Sequence, residues 1–176
     1  SLAFTVTPAP APTITSLSPA SAVQGVSGTL TITGTNFTAG ATTAIDGSGM
    51  TLGTPTVNSA TSITVGFTIT AGAASGQRNI SVTTPGGTSA TSAFLVNYAP
   101  PTLSSVNPPS GLQGTSQTIT LAGTNFVTGN TSVAITGAGV TATGITVTTG
   151  TSLTATFTVD PNAATGARDE IGRAHV

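Results

Sequence analysis

The sequence repeats itself, and this repeat limits what the chain can fold into. The segment PTITSLSPASAVQG, which begins at Pro12, recurs in similar form as PTLSSVNPPSGLQG, which begins at Pro101. Further along, TSITVGFTI from Thr61 is similar to TSLTATFTV from Thr151, and the second copy has one extra residue before this segment. A period of about 90 residues is the length of one small domain. The sequence therefore predicts two copies of one fold.

Each copy is built from short stretches in which Thr or Ser alternates with Val, Ile or Leu, separated by Gly, Pro and Asn. Examples from the first copy are TLTITG, TSITVGFTI, RNISVTT and TSAFLV. Alternation with a period of two and many β-branched residues predict half-buried strands, and no stretch has a sustained helical period. About seven such strands in each copy predict an all-β fold of tandem β-sandwiches.

The phenylalanines occupy equivalent places in the repeat. They form three pairs at the repeat distance, namely Phe37 with Phe126, Phe67 with Phe157, and Phe4 with Phe94. A fixed place in each copy is typical of core residues, so we expect all six to be buried. The pairing of AFTV (3–6) with AFLV (93–96) also predicts that residues 1–8 are the final strand of a preceding, incomplete repeat.

The order and spacing of PTITSLSP, GTLTITGTNF, SITVGFTI and RNISVTTPGG resemble an IPT/TIG repeat, an immunoglobulin-like domain of the early-set type. The proline-led first strand and the Gly-Thr-Asn-Phe turn are its most recognisable marks, and both occur twice. The resemblance covers residues 12–98 fully and 101–169 in part. It implies immunoglobulin-like sandwiches of the kind found in bacterial surface proteins, animal receptors, accessory domains of starch-acting enzymes and certain transcription factors.

Nine residues are predicted to carry the structural motif of the two repeats. The glycine and the asparagine of each GTNF segment suit a tight turn after a strand, since asparagine tolerates a left-handed conformation and bonds to nearby backbone. The phenylalanines then return to the core. The predicted motif residues are Gly34, Asn36, Phe37, Phe67, Phe94, Gly123, Asn125, Phe126 and Phe157.

The low charge excludes several classes of function. Charged residues make up 4% of the chain, with three arginines and no lysine. Nucleic-acid binding needs several cationic contacts to phosphates, so no nucleic-acid partner is expected. The absence of cysteine excludes a disulfide framework and a thiolate metal site. No apolar run approaches the roughly 18 residues of a membrane span, and a secretion signal is not recognisable in the sequence.

The chain offers few groups for chemistry. The segment DGSG (46–49) has some similarity to a calcium loop, but no acidic ligand follows and the second copy reads TGAG (136–139), so a hairpin turn is expected. Arg78 and Arg168 hold equivalent places, for which a solvated turn or a local hydrogen bond is expected. We expect no catalytic residue, no metal site and no cofactor, because a positioned base, nucleophile or metal cannot be assembled within one repeat.

The second copy departs from the first near its end. After SGQRN the first copy continues ISVTTPGGTSATSAFLV, whereas after TGARD the second gives EIGRAHV. Residues 170–176 resemble one reading frame of a short-read sequencing adapter and are expected to be non-native. The second repeat, 101–169, is then truncated and lacks its last two strands. A fragment of residues 101–176 is therefore not expected to fold cooperatively as a monomer.

These features favour a non-catalytic structural, adhesion or spacer module of a longer secreted or cell-surface repeat protein. Its expected partners are the neighbouring repeats of the same chain, with a cell-surface protein or a glycan as a ligand. The prolines of NYAPPT (97–102) predict a semi-rigid junction. The alternative is an accessory carbohydrate-binding domain of a secreted polysaccharide-acting enzyme. The sequence names no ligand for either role.

Overall fold

The chain forms two separate units of β-structure. The structure is a computed structural model that describes residues 2–174, with only the backbone described for residues 170–174. The first unit is Ser1–Asn97 and the second is Tyr98–Val176. All regular elements among the described residues are strands, which confirms the all-β prediction of tandem sandwiches.

The first unit contains ten strands. Alternating Thr and aliphatic residues give each long strand one buried and one exposed face, as in the pattern of Ser62–Ile69. The strands are β1 Thr13–Ser18, β2 Ser21–Val23, β3 Ser27–Thr35, β4 Thr42–Ile45, β5 Met50–Leu52, β6 Thr56–Ser59, β7 Ser62–Ile69, β8 Gly76–Thr84, β9 Gly87–Thr88 and β10 Ser92–Asn97.

Two sheets make up the sandwich of the first unit. One has the order β1-β3-β7-β5, with β6 also paired to β7, and the other has the order β2-β10-β8-β4, with β9 paired to β8. Most neighbours are antiparallel, but β2 and β10 run parallel, with Leu95 opposite Ser21 and Asn97 opposite Val23. Strand β10 therefore lies in the middle of its sheet and holds β2 at the sheet edge.

The core of the first unit lies between these sheets and includes fifteen buried apolar residues. The inward positions of β3 and β7 meet those of β8 and β10. Phe67 and Phe94 are in contact at its centre, with ring centroids 5.6 Å apart and ring planes tilted by 58°. The buried residues are Leu17, Leu30, Ile32, Phe37, Ala41, Met50, Ile63, Val65, Phe67, Ile69, Ala73, Ile80, Val82, Phe94 and Val96.

The second unit repeats one sheet and only part of the other. Its strands are β11 Thr102–Asn107, β12 Ser116–Thr124, β13 Thr131–Ile135, β14 Val140–Thr149, β15 Ser152–Val159 and β16 Glu170–Ala174. One sheet has the order β11-β12-β15-β14, and the other is the pair β13-β16. Its core has seven buried residues: Ile119, Leu121, Phe126, Val133, Leu153, Ala155 and Phe157.

The end of the second unit differs from the sequence prediction. Both final strands were expected to be missing, but residues Glu170–Ala174 form β16 and pair with β13, Ile135 lying opposite Glu170. The equivalent pairing in the first unit sets Ile45 of β4 opposite Ile80 of β8. Strand pairing uses backbone groups, so a short segment without proline can occupy this position whatever its origin.

The second sandwich nevertheless remains open on one side. In the first unit residues 76–80 of β8 pair with β10, and residues 80–83 pair with β4 on the other side. In the second unit only the part equivalent to 80–83 has a partner strand, and residues 166–169 are not in a strand. Among the described residues, no strand takes the place of β10. The counterpart of β2 is also not formed, because β10 is the strand to which β2 pairs.

Candidate functional site

The GTNF turns have the same geometry in both units. Asn36 and Asn125 both have φ of 59°, the left-handed region that few L-residues adopt. The side-chain amide of Asn36 donates to the carbonyl of Ala11 at 2.9 Å, and that of Asn125 donates to the carbonyl of Pro100 at 2.8 Å. Each turn is thereby hydrogen-bonded to the segment that precedes the first strand of its unit. This is a structural use of asparagine.

We expect the two functions of Asn36 to separate in a pair of variants. Asn36→Gly loses the hydrogen bond to Ala11 but still adopts positive φ, and should lower the free energy of unfolding by about 1 kcal/mol. Asn36→Ala loses the hydrogen bond and also strains the backbone, which adds roughly 1–2 kcal/mol. Urea unfolding measures both. Equal losses in the two variants would contradict the assigned backbone strain.

The two motif glycines are buried where strands come close together. A Cβ on Gly34 would overlap the carbonyl oxygen of Thr13, and a Cβ on Gly123 would overlap that of Thr102. The same hypothetical atoms would lie 2.6 Å and 2.7 Å from Cζ of the phenylalanine that ends each turn. The turn glycines therefore allow the first strand and the turn to approach each other.

The motif phenylalanines all lie in the cores. Their exposed fractions are 3% for Phe37, 6% for Phe67, 0% for Phe94, 4% for Phe126 and 7% for Phe157. The sixth phenylalanine differs from the expectation that all six are buried, since Phe4 is 91% exposed. Its place is that of Phe94 in β10, but residues 2–8 are exposed and lie in no strand.

A compact polar cluster lies beside the DGSG turn of the first unit. The backbone N–H of Asn79 donates to Oδ1 of Asp46 at 2.6 Å, and its side-chain amide donates to Oδ2 at 2.7 Å. The N–H of Asp46 donates in turn to the carbonyl of Asn79 at 3.1 Å. Both carboxylate oxygens thus bond within the chain. Gly47 and Gly49 have φ of 75° and 82°, so the chain turns sharply here. The expected hairpin is wrong, because β4 pairs with β8 in one sheet whereas β5 pairs with β7 in the other, so the turn connects the two sheets.

Arg78 is buried next to this turn, with an exposed fraction of only 7%. Its Nη2 donates to the carbonyl of Ser48 at 3.1 Å and to that of Ala74 at 2.8 Å. Its aliphatic part packs against Gly47, where a Cβ would come within 2.9 Å of Cδ. The guanidinium therefore joins the DGSG turn to the loop before β8. The expected local hydrogen bond is present, but the side chain is not solvated.

The strand register of Arg78 indicates its burial, although its residue type favours exposure. Arg78 is two residues before Ile80 and four before Val82, so all three point to the same face of β8. Both isoleucine and valine are fully buried. The two terminal nitrogens of the guanidinium donate to carbonyl groups, while its Nε has no hydrogen-bond partner among the described residues. An arginine in the register of a core strand thus has a structural use here.

The Asp46 cluster should make the stability of the first unit depend on pH. Hydrogen bonds from the backbone and then the side chain of Asn79, with the charge of Arg78, lower the pKa of Asp46 below its ordinary value. A lowered folded-state pKa stabilises the unit above the unfolded pKa of about 3.9, and this is lost as pH falls through the folded value. Urea midpoints of wild type should exceed those of Asp46→Asn at pH 7 and converge with them near pH 2. A constant difference would contradict this linkage.

The repeated strands, the paired GTNF turns and the shared core positions agree with the sequence comparison. The model of the IPT/TIG domain family matches residues 12–98 and again residues 101–170. The chain belongs to the IPT/TIG family. No curated protein sequence matches the chain.

Several solved structures contain similar folds. The Escherichia coli adhesin FdeC is 17% identical over 93% of this chain and 58% of its own, with a TM-score of 0.48. The Yersinia pseudotuberculosis adhesin InvE is 17% identical over 90% of this chain and 57% of its own, with a TM-score of 0.47. Invasin, a bacterial integrin-binding protein, is 22% identical over 92% of this chain and 36% of its own, with a TM-score of 0.49. The IPT/TIG chain spans less than two thirds of each, and at these TM-scores the likeness supports no inference about ligands.

The second IPT/TIG unit has hydrogen bonds at the same positions as the polar cluster, although two of the side chains differ. Thr136 stands where the first unit has Asp46, and its hydroxyl accepts from the N–H of Asp169 at 3.0 Å. Arg168 donates to the carbonyl of Ala164 at 2.8 Å, as Arg78 does to that of Ala74. Arg168 is partly exposed, and no strand among the described residues lies beside it as β10 lies beside Arg78.

The described residues of the two IPT/TIG units hold no arrangement suited to metal chemistry. No group of three or more His, Cys, Asp or Glu side chains comes together among residues 2–169, the residues whose side chains are described. Within the same part of the chain, no helix is long and apolar enough to cross a membrane. The polar side chains that come together bind groups of their own unit. Asp46 accepts from the backbone and the side chain of Asn79, and Arg78 donates to the carbonyls of nearby turns.

Proposed function

We propose that the chain is a non-catalytic structural module that bears load as a spacer in a longer secreted or cell-surface adhesion protein. One observation carries the proposal, namely the parallel pairing of β2 and β10 near the two ends of the first unit. Strand β2 lies close to the start of the repeat and β10 lies at its end. A force applied to the two ends therefore pulls these strands along their length in opposite directions.

Parallel terminal strands resist such a force well. The three residue pairs from Leu95–Ser21 to Asn97–Val23 are flanked by two further backbone hydrogen bonds, each 3.0 Å long. In these the N–H of Leu95 donates to Ala20, and the N–H of Gln24 donates to Asn97. Pulling along the strands loads all of these bonds at once, whereas strands peeled apart from one end lose them one at a time. This arrangement suits a tether.

The polar side chains support a structural role over a catalytic one. The carboxylate of Asp46, the guanidinium of Arg78 and the amide of Asn36 all bond to groups of their own unit. Catalysis needs a base, nucleophile or metal that faces a substrate. With charged residues at 4% of the sequence, the strand surfaces present mainly Thr and Ser, which suits a spacer that does not attract charged ligands.

The alternative of an accessory carbohydrate-binding domain has less support. Sugar-binding surfaces commonly use exposed aromatic faces, and five of the six phenylalanines are buried in the cores. Affinity electrophoresis in gels containing soluble glucans tests the alternative with the whole chain. We expect unchanged mobility at every glucan concentration. Retardation that grows with one glucan would favour carbohydrate binding over the spacer role.

Single-molecule force spectroscopy tests the load-bearing role. When the 176-residue chain is pulled from its termini, the first unit should unfold in one step that releases about 30 nm of chain, at roughly 3.5 Å per extended residue. The second unit is an internal control, since no described strand there takes the place of β10. Its unfolding force should be clearly lower. If both units yield at the same low force, the load-bearing role is wrong.

A further inference from the structure

The glutamine of the repeated segments AVQG and GLQG makes the same side-chain contact in both units. The side-chain amide of Gln24 donates to the carbonyl of Ala73, and that of Gln113 donates to the carbonyl of Ala163 at 2.7 Å. Both carbonyls belong to the loop that follows a long central strand, β7 in the first unit and β15 in the second. The contact between the glutamine and this loop is thus a feature of the repeat.

Gln24 lies where the parallel strand pair of the first unit ends. It directly follows β2, and its backbone N–H donates to the carbonyl of Asn97, the last residue of β10, at 3.0 Å. Its side chain reaches Ala73, in the loop between β7 and β8. The residue is half-buried, so water competes less for these hydrogen bonds than at an exposed site. Gln24 therefore joins the end of β2 to two other parts of the unit.

The loop that accepts the side-chain hydrogen bond is held on several sides. The N–H of Thr70 donates to the carbonyl of Gly49 at 2.8 Å, and the N–H of Ala73 donates to the carbonyl of Thr70 at 3.1 Å. Ala73 is buried against Gly49, where a Cβ would lie 2.6 Å from the Cβ of Ala73. The guanidinium of Arg78 donates to the carbonyl of Ala74, the next residue of the loop, at 2.8 Å. The carbonyl of Ala73 is therefore a well-anchored acceptor.

Tension on the ends of the first unit would load this contact directly. It draws β2 toward its own N-terminus and β10 toward its C-terminus, and Gln24 is at the trailing end of β2. Sliding of β2 along β10 therefore stretches the hydrogen bond to Ala73. The loop that contains Ala73 leads into β8, which pairs with β10 in the same sheet. The side chain of Gln24 is thus a second link between β2 and that sheet, loaded together with the strand ladder.

We propose that Gln24 is a positioning residue of the load-bearing strand pair, and that its bond to Ala73 holds β2 against β10 under tension. This inference rests on the proposed spacer role and assigns one residue to it. The contact is not a by-product of the pairing of β2 with β10. Among the described residues of the second unit no strand corresponds to β2, yet Gln113 makes the same contact with Ala163.

Force spectroscopy on the whole chain with matched variants tests the proposal. Gln24→Met keeps a side chain of similar length and the backbone bond to Asn97, but it cannot donate to Ala73. Pulled from the termini, the first unit of this variant should unfold about fivefold faster at a given force, the effect of one lost hydrogen bond. Gln24→Asn, which is one methylene shorter, should have the same effect. The control Gln77→Met loses only an exposed hydrogen bond to Asn79 and should unfold like wild type.

The direction of pulling separates a contact under load from one that only stabilises the fold. The chain has no cysteine, so Ala39→Cys provides a single attachment point in an exposed loop before β4. Pulling between residue 39 and the C-terminus leaves β2 outside the stretched segment. The difference in rate between Gln24→Met and Gln24 should then be clearly smaller than under pulling from the termini.

Two results would overturn the role of Gln24. One is an equal rate difference in the two pulling directions, and the other is a Gln24→Met variant that unfolds like Gln77→Met when pulled from the termini. Either result, with a wild-type first unit that resists more force than the second, removes only the role of Gln24. A wild-type first unit as weak as the second removes the load-bearing role itself, and the role of Gln24 with it.

Discussion

Gly34→Ala is expected to destabilise the first unit by about 3 kcal/mol or more, at the upper end of the usual cost of overpacking. The added Cβ would overlap the carbonyl oxygen of Thr13, which belongs to the backbone of β1. Strand β1 is paired to β3 at this point, with Ile14 opposite Gly34, so the carbonyl cannot move without disturbing the pairing. The aromatic ring of Phe37 blocks the remaining space. Urea unfolding followed by far-ultraviolet circular dichroism measures the loss.

The chain offers a matched control for this substitution. Gly72 is exposed, has no atom within 4 Å of a hypothetical Cβ, and does not have positive φ. Gly72→Ala should leave the free energy of unfolding unchanged or raise it by about 0.4–1 kcal/mol, because alanine restricts the unfolded chain. If Gly34→Ala behaved like Gly72→Ala, the close approach of β1 to the turn would be wrong.

Phe94→Ala is expected to cost about 3–5 kcal/mol, the usual range for removing a fully buried phenylalanine. Phe94 is 0% exposed and contacts the ring of Phe67 from the opposite sheet, so its loss leaves a cavity at the centre of the sandwich. A domain of this size is stable by only about 5–15 kcal/mol. Thermal unfolding of the first unit should therefore shift to a much lower temperature.

Leu95→Ala provides the comparison on the same strand. Leu95 points to the other face of β10 and is 42% exposed, so its truncation removes little buried surface. We expect a loss under about 1 kcal/mol. Similar losses for the two variants would mean that the alternation of β10 does not direct Phe94 into the core.

Much of the fold follows from the sequence because strand alternation and burial are closely coupled. In TSITVGFTI every second residue from Ile63 to Ile69 is buried, as the pattern predicts. The two GTNF segments have identical turn geometry because glycine and asparagine are suited to the backbone conformations required there. These features depend on residues close together in the chain, so a single sequence can reveal them.

The features that the sequence did not predict depend on distant partners. Arg78 is buried because carbonyl groups of Ser48 and Ala74 surround its guanidinium, and residue type alone favours exposure. Phe4 is exposed although its sequence is that of a core strand, since core position also requires a facing sheet. Residues Glu170–Ala174 pair as β16 through their backbone groups. Backbone pairing does not require the repeat sequence, so the loss of similarity after Asp169 did not predict it.

Hydrogen exchange measured by mass spectrometry on the intact chain tests most directly whether β10 closes the first sandwich at an edge that the described residues leave open in the second. In dilute solution peptides that cover residues 76–79 should be protected by β10, while those that cover 166–169 should exchange much faster. Equal protection of the two segments would contradict the account.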